Sequence, residues 1–134
     1  PCDGVSPMGA IAIGAMAGVL VVLSVMLLDY VLKVDDPVGA VSVHAVNGLW
    51  GTLSFGLFST TSGLFYGHGF KQLGVQLLGA GTAFVWAFGL GLVLFLALKK
   101  TVGLRVSAEE EIKGLDIEEH GNEAYAGFQV FMTE

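Results

Sequence analysis

One histidine, His44, lies inside a long uncharged stretch of the chain and is the side chain best suited to chemistry. Positions 38–58 contain no Asp, Glu, Lys or Arg. At ~1.5 Å of rise per residue, a helix of that length is long enough to cross the ~30 Å hydrocarbon layer of a bilayer, with His44 roughly 10 Å in from its charged end. An ionisable group at that depth is costly unless it faces a cavity or a partner. We therefore expect His44 to line a cavity or to contact a partner.

The imidazole of His44 could serve in three ways, and the residues alone leave all three open. Neutral imidazole has one donor and one acceptor nitrogen, so it can pass a hydrogen bond or a proton without a fixed charge, which suits conduction of a molecule that is both cation and neutral species. A structural hydrogen bond is the second use. A haem or metal ligand is the third, but Asn47 and Gly48 occupy the positions three and four residues on, where a second ligand would lie. No catalytic residue, metal site or cofactor is predicted. Gly48 instead leaves room beside His44 for a lumen or a neighbouring helix.

Two carboxylates and a proline precede the uncharged stretch and predict where its helix begins. Asp35 and Asp36 are residue types that favour turns and helix starts, and Pro37 suits the first position of a helix. The resulting prediction is a helix over residues 37–58.

The composition as a whole is that of a membrane protein. The 134 residues are 54% hydrophobic and 13% charged, with a mean hydropathy of +0.74, whereas a soluble domain has about 25% charged residues. Two further apolar runs predict membrane helices at about 7–28 and 72–98. In the first of these runs, Gly14 and Gly18 form a G-x-x-x-G pair, which favours close helix packing. We predict an all-α membrane protein with three transmembrane helices.

Charge divides the chain into a transmembrane region, residues 1–102, and an acidic tail, residues 103–134. The tail carries eight Asp and Glu against Arg105 and Lys113, and so accounts for the whole net charge of -6. Five Lys and Arg lie on the side of the tail and only Lys71 on the other, which predicts a multi-pass protein of the plasma membrane with a cytoplasmic C-terminus. No basic run indicates nucleic-acid binding. The single cysteine permits no internal disulfide.

The acidic tail contains two sets of helix signals. Ser107 and Glu110 have the spacing of a capping box, in which each side chain bonds the other residue's backbone N–H. Asp116 opens a second sequence of the same form. Gly114 and Gly121 are of the type that ends helices. The tail is therefore predicted to form two short helices.

The chain begins with a proline, and no positively charged region precedes its first apolar run, so the start is unlike a signal peptide. We expect the chain to be the C-terminal part of a longer polypeptide.

Three segments together resemble the ammonium transporters of the Amt/Mep/Rh family. They are DDPVGAVSVHAVNGLWGTL, the GLF that follows it, and the tail LRVSAEEEIKGLDIEEHGNEAY. The resemblance covers essentially the whole chain. It implies an eleven-helix fold built from two inverted repeats, in which this chain supplies the last three membrane helices and the cytoplasmic tail. It also implies a homotrimer with one pore per subunit, the remaining N-terminal helices as partners, and ammonium or ammonia as the conducted molecule.

The same resemblance assigns roles to individual residues. His44 matches the second histidine of the twin-histidine pair in the pore. Asp36 matches the aspartate of the D-D-P turn, which has a structural role near the helix start, and Trp50 falls in the W-G-T signature, where packing is expected. Gly48 is placed near the pore by its helical spacing from His44. The tail would fold against the cytoplasmic face, couple subunits and meet a PII-type signal protein of nitrogen regulation. The residues carried over in this tail are Glu109, Glu110, Gly114, Leu115, Asp116, His120, Gly121 and Tyr125.

Two positions depart from the family pattern, and two alternative functions stay open. Family members often have Gly where this chain has Ala45, and a small or cysteine residue where it has Asn47, whose amide needs hydrogen-bond partners. The first alternative is an ammonium sensor built on the transporter fold. The second is a three-helix membrane assembly protein. None of the three is an enzyme.

Overall fold

The structure, a computed structural model, describes residues 3–124, which form helices joined by turns, and the all-α prediction is confirmed. In chain order these are α1 (Pro7–Met26), a first π segment (Leu27–Leu32), a second π segment (Ala40–Val46), α2 (Asn47–Phe58), a 3-10 turn (Leu64–Tyr66), α3 (Lys71–Thr101), α4 (Ala108–Lys113) and α5 (Asp116–His120). A π segment closes i→i+5 hydrogen bonds and rarely exceeds one turn. The chain divides within α3 into two compact units, Pro1–Gly89 and Leu90–Glu134.

Two helices in the described part of the chain are long and apolar enough to cross a membrane. Pro7–Leu32, which joins α1 to the first π segment, has a mean hydropathy of 2.7, and α3 has 2.1. They correspond to the predicted helices at 7–28 and 72–98. The predicted helix at 37–58 exists as the second π segment followed directly by α2, and its crossing of the membrane stays a prediction.

The end of the first membrane helix lies beyond the predicted residue 28. Its start is fixed by Ser6, whose hydroxyl accepts the backbone N–H of Gly9 at 3.1 Å. At the other end the first π segment, Leu27–Leu32, takes Asp29, the residue after the predicted end, into the helix. The helix ends at Lys33, which has a φ of 52° and donates its N–H to the carbonyl of Leu28. A left-handed residue stops a helix by bonding a free terminal carbonyl.

The helix predicted over residues 37–58 begins three residues later than predicted. Pro37 lies outside it, because the chain first makes a tight turn in which the Gly39 N–H donates to the Asp36 carbonyl at 2.9 Å. Gly39 has a φ of 67°, a left-handed conformation that glycine adopts without a Cβ clash. The helix then starts at Ala40. The carboxylate, the proline and the glycine thus form a turn that precedes the helix.

Close packing within the unit Pro1–Gly89 occurs where α2 meets the start of α3. A Cβ built on Gly56 would lie 2.6 Å from the Leu73 Cα, so the backbones touch there. Phe58 at the end of α2 also contacts Phe65 in the 3-10 turn, and the two rings lie edge to face with centroids 5.0 Å apart. By contrast, the G-x-x-x-G pair has open space around both glycines within residues 3–124. Its predicted packing role stays a prediction.

The connection between α2 and α3 is tied to the beginning of the chain. The Thr60 N–H donates to the Gly4 carbonyl at 2.9 Å, and the Ser6 and Tyr66 hydroxyls lie 3.0 Å apart. The buried Ser59 hydroxyl bonds that of Ser62 at 3.0 Å. These bonds hold one end of α1 beside the end of α2.

In the unit Leu90–Glu134, the predicted capping box is confirmed and the second predicted cap is wrong. The Ser107 N–H donates to Glu110 Oε2 at 2.7 Å, and the Glu110 N–H donates to Ser107 Oγ at 3.3 Å. Asp116 instead lies inside α5 as its first residue, and its carboxylate accepts the Ala124 N–H at 3.0 Å. The residue at the cap position of α5 is Leu115, which has no side chain that could accept an N–H. Both helices end at the predicted glycines, Gly114 and Gly121.

Ser107→Ala is expected to loosen α4. Loss of an N-cap hydroxyl costs about 1 kcal/mol, so amide hydrogens of Ala108–Lys113 should exchange about fivefold faster. Ser107→Asp, which restores an acceptor, is the control. Hydrogen-exchange mass spectrometry on the tail checks both variants, and equal exchange in Ser107→Ala and the parent would contradict the cap.

Acid should loosen α4 in the same way. The Ser107 hydroxyl and N–H lower the pKa of Glu110. A carboxyl with a depressed folded pKa stabilises the folded form above its unfolded pKa, and that contribution is lost as the pH falls through the folded value. Exchange in α4 should therefore rise as the pH drops below about 4.3, the unperturbed Glu pKa, after correction for intrinsic rates. Glu110→Gln should lose this dependence.

Candidate functional site

The carboxylate of Asp36 holds the start of the second π segment. It accepts the backbone N–H of Val41 at 3.1 Å and that of Ser42 at 3.0 Å. Terminal N–H groups of a helix have no partner within the helix, and a carboxylate is a strong acceptor for them. The Ser42 N–H is the largest cause of a lowered pKa of Asp36, so the group is ionised at neutral pH. Asp36 therefore fixes the segment that carries His44.

A second contact, which sequence reasoning missed, holds the same segment against α1. The Ser24 hydroxyl donates to the Ser42 hydroxyl at 3.3 Å, and Ser42 is fully buried. Each serine lies within an otherwise apolar run. A polar residue inside an apolar run was the sequence signal for this contact, because hydroxyls in membrane helices form hydrogen bonds with neighbouring helices.

His44 lies two residues after Ser42, on the second π segment, and its side chain is exposed on this chain. Within residues 3–124 the imidazole makes no hydrogen bond to another side chain or to the backbone. In the same residues, no three His, Cys, Asp or Glu side chains are grouped as a metal site would require. Both ring nitrogens are therefore available to groups outside this part of the chain.

The helix beyond His44 presents a shallow groove rather than bulky side chains. Gly48 and Gly51 line it together with residues of α2 and α3, namely Thr52, Phe55 and Gln76. Neither glycine would meet a neighbour within 4 Å if it carried a Cβ. The space at Gly48 is therefore open within the described residues, and a lumen beside His44 stays a prediction.

Asn47, one of the two departures from the family pattern, has an unpaired acceptor. Its Oδ1 is buried and has no hydrogen-bond partner among the described residues. A buried carbonyl oxygen left unpaired costs about 1–3 kcal/mol. The expectation that this amide finds a hydrogen-bond partner therefore stays a prediction.

Trp50 joins α2 to α1. Its indole Nε1–H donates to the backbone carbonyl of Ile13 at 3.0 Å, and its side chain is half-buried. The Ile13 carbonyl lies in the middle of α1, so the indole bond is additional to the hydrogen bonds within that helix. The packing role expected for Trp50 thus has a specific contact behind it.

Trp50→Phe is expected to lower stability by about 1 kcal/mol, the net value of one hydrogen bond, while retaining most of the ring packing. Thermal unfolding of the detergent-solubilised protein measures the change. Trp86→Phe is the matched control, because Trp86 is 71% exposed on α3. Equal destabilisation by the two substitutions would contradict the assignment.

The comparisons with known proteins agree on one family. The profile of the Ammonium Transporter Family matches residues 1–125. The chain belongs to this family. Its ammonium transporter relatives include Amt2 of Archaeoglobus fulgidus, 43% identical across 100% of this chain and 31% of the relative. An ammonium transporter of Mycobacterium tuberculosis is 43% identical across 92% of this chain and 28% of the relative.

A solved structure supports the same assignment. A protein titled Sensor Amt Protein superposes on this ammonium transporter family chain with a TM-score of 0.78 and 44% identity, over 88% of this chain and 30% of that one. The chain spans about a third of the length of the relatives it matches. The family consists of membrane transporters rather than enzymes, and the two long apolar helices fit that setting.

The tail residues of this family member lie on exposed turns of α4 and α5. Glu109 and His120 are exposed, and Leu115 is 40% exposed. Arg105 pairs with Glu111 through two hydrogen bonds, of which that from Nε measures 3.1 Å. This pairing lowers the pKa of Glu111. The last residue predicted in this set, Tyr125, lies outside the described residues.

Proposed function

We propose that this chain forms the C-terminal portion of a transporter that conducts ammonium or ammonia across the plasma membrane, with His44 as the second histidine of the pore pair. The observation that carries the proposal is the anchored position of His44. Asp36 and Ser42 fix the segment that bears it, and its ring is exposed with no partner in the described chain. A ring that lies on an anchored backbone segment and has no partner of its own is placed to meet groups from other helices or a passing molecule.

The chemistry of the substrate explains why an imidazole suits this position. Moving an intact ammonium ion into an apolar lumen is very costly, because an isolated charge loses its hydration. Loss of the proton on entry leaves ammonia, which can both donate and accept hydrogen bonds. A neutral imidazole offers one donor and one acceptor to it. The groove at Gly48 and Gly51 leaves space along the same helix.

The proposal requires helices that this chain does not contain. The complete protein would contribute a first histidine and the rest of the lumen from N-terminal helices, span the membrane with the C-terminus in the cytoplasm, and assemble as a homotrimer in the lipid bilayer. The test is ammonium uptake by the whole protein in proteoliposomes, read from internal pH and from radiolabelled methylammonium. Uptake no faster than in empty liposomes would contradict the proposal.

A sensor is the second candidate, favoured by the likeness to a protein titled Sensor Amt Protein. In that role ammonium binding would be reported through the tail. Binding of ammonium to the whole protein by calorimetry, with no flux in liposomes, would favour the sensor over the transporter.

Regulation through the tail is part of the transporter proposal. The capped α4 and the acidic side chains around it present a defined surface for a PII-type signal protein or for a neighbouring subunit. Deleting residues 109–134 should reduce the response to such a protein while the trimer still assembles. Full regulation in the truncated protein would remove this role.

A further inference from the structure

The second π segment is held from two sides, and Ser42 is the residue where the two contacts meet. Its backbone N–H donates to the Asp36 carboxylate in the loop, and its hydroxyl accepts from Ser24 on α1. The Ser42 hydroxyl is also one of the causes that lower the pKa of Asp36. Through its hydroxyl and its backbone N–H, Ser42 therefore links Ser24 on α1 to Asp36 in the turn before the helix.

The form of this segment decides where His44 projects. A π turn is closed by i→i+5 hydrogen bonds and contains more residues than an α turn. The side chains that follow its first residue therefore have other directions than they would have in an α-helix. The same residues could form the more common α turn. His44 is the fifth residue of Ala40–Val46. Whatever holds the segment in the π form also sets the direction of the imidazole.

We propose that Ser24 and Ser42 are positioning residues for His44: their hydroxyl pair holds the second π segment against α1 and so sets the direction of the imidazole toward the permeating molecule. The inference rests on the proposed conduction role of His44. Both serines act through the backbone of the segment. Their removal should alter how well the pore distinguishes ammonium from its methylated form, which differs in size and in hydrogen-bonding capacity.

Two threonine hydroxyls in the same unit lack this arrangement. The Thr52 hydroxyl donates to the Gly48 carbonyl and the Thr82 hydroxyl to the Leu78 carbonyl, both at distances below 3 Å. Each of these bonds stays within one helix and cannot orient another. The Ser24–Ser42 bond joins α1 to the segment with His44. At 3.3 Å it is longer than an ordinary bond between hydroxyls, so we expect moderate effects.

The test is a double-mutant cycle in the whole protein with Ser24→Ala, Ser42→Ala and the combination. Proteoliposome uptake gives the KM and the maximal rate for ammonium and for methylammonium. Each single variant should change the ratio of the two maximal rates by about two- to tenfold. The double variant should match the single variants rather than multiply them, because one shared bond is lost. Thr82→Val, which removes a hydroxyl bonded within its own helix, should keep the parent ratio.

Each outcome decides the inference. An unchanged ratio in both serine variants, or multiplicative effects, would overturn it even if the parent conducts normally. A parent with no uptake would instead overturn the proposed function. Trimer yield and thermal midpoint are measured in parallel, since a merely structural role would move these without the ratio. If Ser42→Ala does not assemble, Ser24→Ala and the conservative Ser24→Thr decide: the first should shift the ratio and the second should restore it.

Discussion

His44→Ala in the whole protein is expected to lower ammonium flux by roughly five- to 150-fold and to weaken discrimination against alkali cations. The expectation follows from the loss of one hydrogen-bond partner in a lumen from which water is excluded. An unmade hydrogen bond at a buried site costs about 1–3 kcal/mol, and each 1.36 kcal/mol on the barrier is tenfold in rate. Stopped-flow measurement of internal pH in proteoliposomes, repeated with potassium in place of ammonium, gives both quantities.

The chain offers a matched control for this substitution. His68 is exposed in the connection between α2 and α3, flanked by two glycines of positive φ, Gly67 and Gly69. His68→Ala should leave flux and discrimination unchanged. Unchanged flux and unchanged discrimination in His44→Ala would contradict a role of His44 in conduction.

The same pair of variants separates the transporter from a membrane assembly protein. An assembly role requires helix faces that pack together, and it makes no demand on an imidazole. If His44→Ala impaired oligomer formation while ammonium uptake was absent in the parent, the assembly alternative would be favoured. The anchoring of the segment by Asp36 and Ser42 argues for the transporter, because it fixes the position of the backbone that carries His44, which an assembly role does not require.

Helix positions were predictable because long apolar runs dominate this sequence. The span at 72–98 lies within α3, and the end of the helix at residue 58 agrees with α2. A run without charges fixes a membrane helix because every backbone group in lipid must bond within the segment. The capping box at Ser107 and Glu110 was also predictable, since both of its bonds are local.

Helix ends were less predictable where a distant group decides them. Asp36 and Pro37 have the types of a helix start, yet the carboxylate reaches forward to Val41 and Ser42, which moves the start of the helix to Ala40. Asp116 similarly bonds an N–H eight residues away instead of capping α5. Residue type shows that a carboxylate will accept an N–H, but the fold decides which one.

The candidate site likewise has one feature that the sequence predicts and one that it does not. A histidine within an uncharged run can be recognised as a candidate site residue from the sequence alone, because an ionisable group in lipid is costly unless it faces a cavity or a partner. The π form of its segment has no sequence signature of this kind. The segment is bonded to Ser24, which lies eighteen residues before Ser42 in the chain. A contact between two helices of this kind cannot be read from local sequence preference.

Gly56→Ala is expected to destabilise the packing of α2 against α3 by about 1–3 kcal/mol, the usual cost of overfilling a well-packed contact. The new Cβ would lie 2.6 Å from the Leu73 Cα and 3.0 Å from its backbone nitrogen. Backbone atoms in a helix cannot rotate away as the end of a side chain can, so the two helices must separate. A lower thermal midpoint of the detergent-solubilised whole protein measures the effect.

Gly74→Ala is the matched control, since it lies on α3 beside Leu73 and a Cβ there would meet nothing within 4 Å among residues 3–124. In a helix, alanine is favoured over glycine by about 1 kcal/mol, so this variant should be as stable as the parent or slightly more stable. A decrease in stability for Gly56→Ala and no decrease for Gly74→Ala would locate the close approach at Gly56. Equal stability of Gly56→Ala and Gly74→Ala would contradict the contact and, with it, the packing that places α3 beside α2.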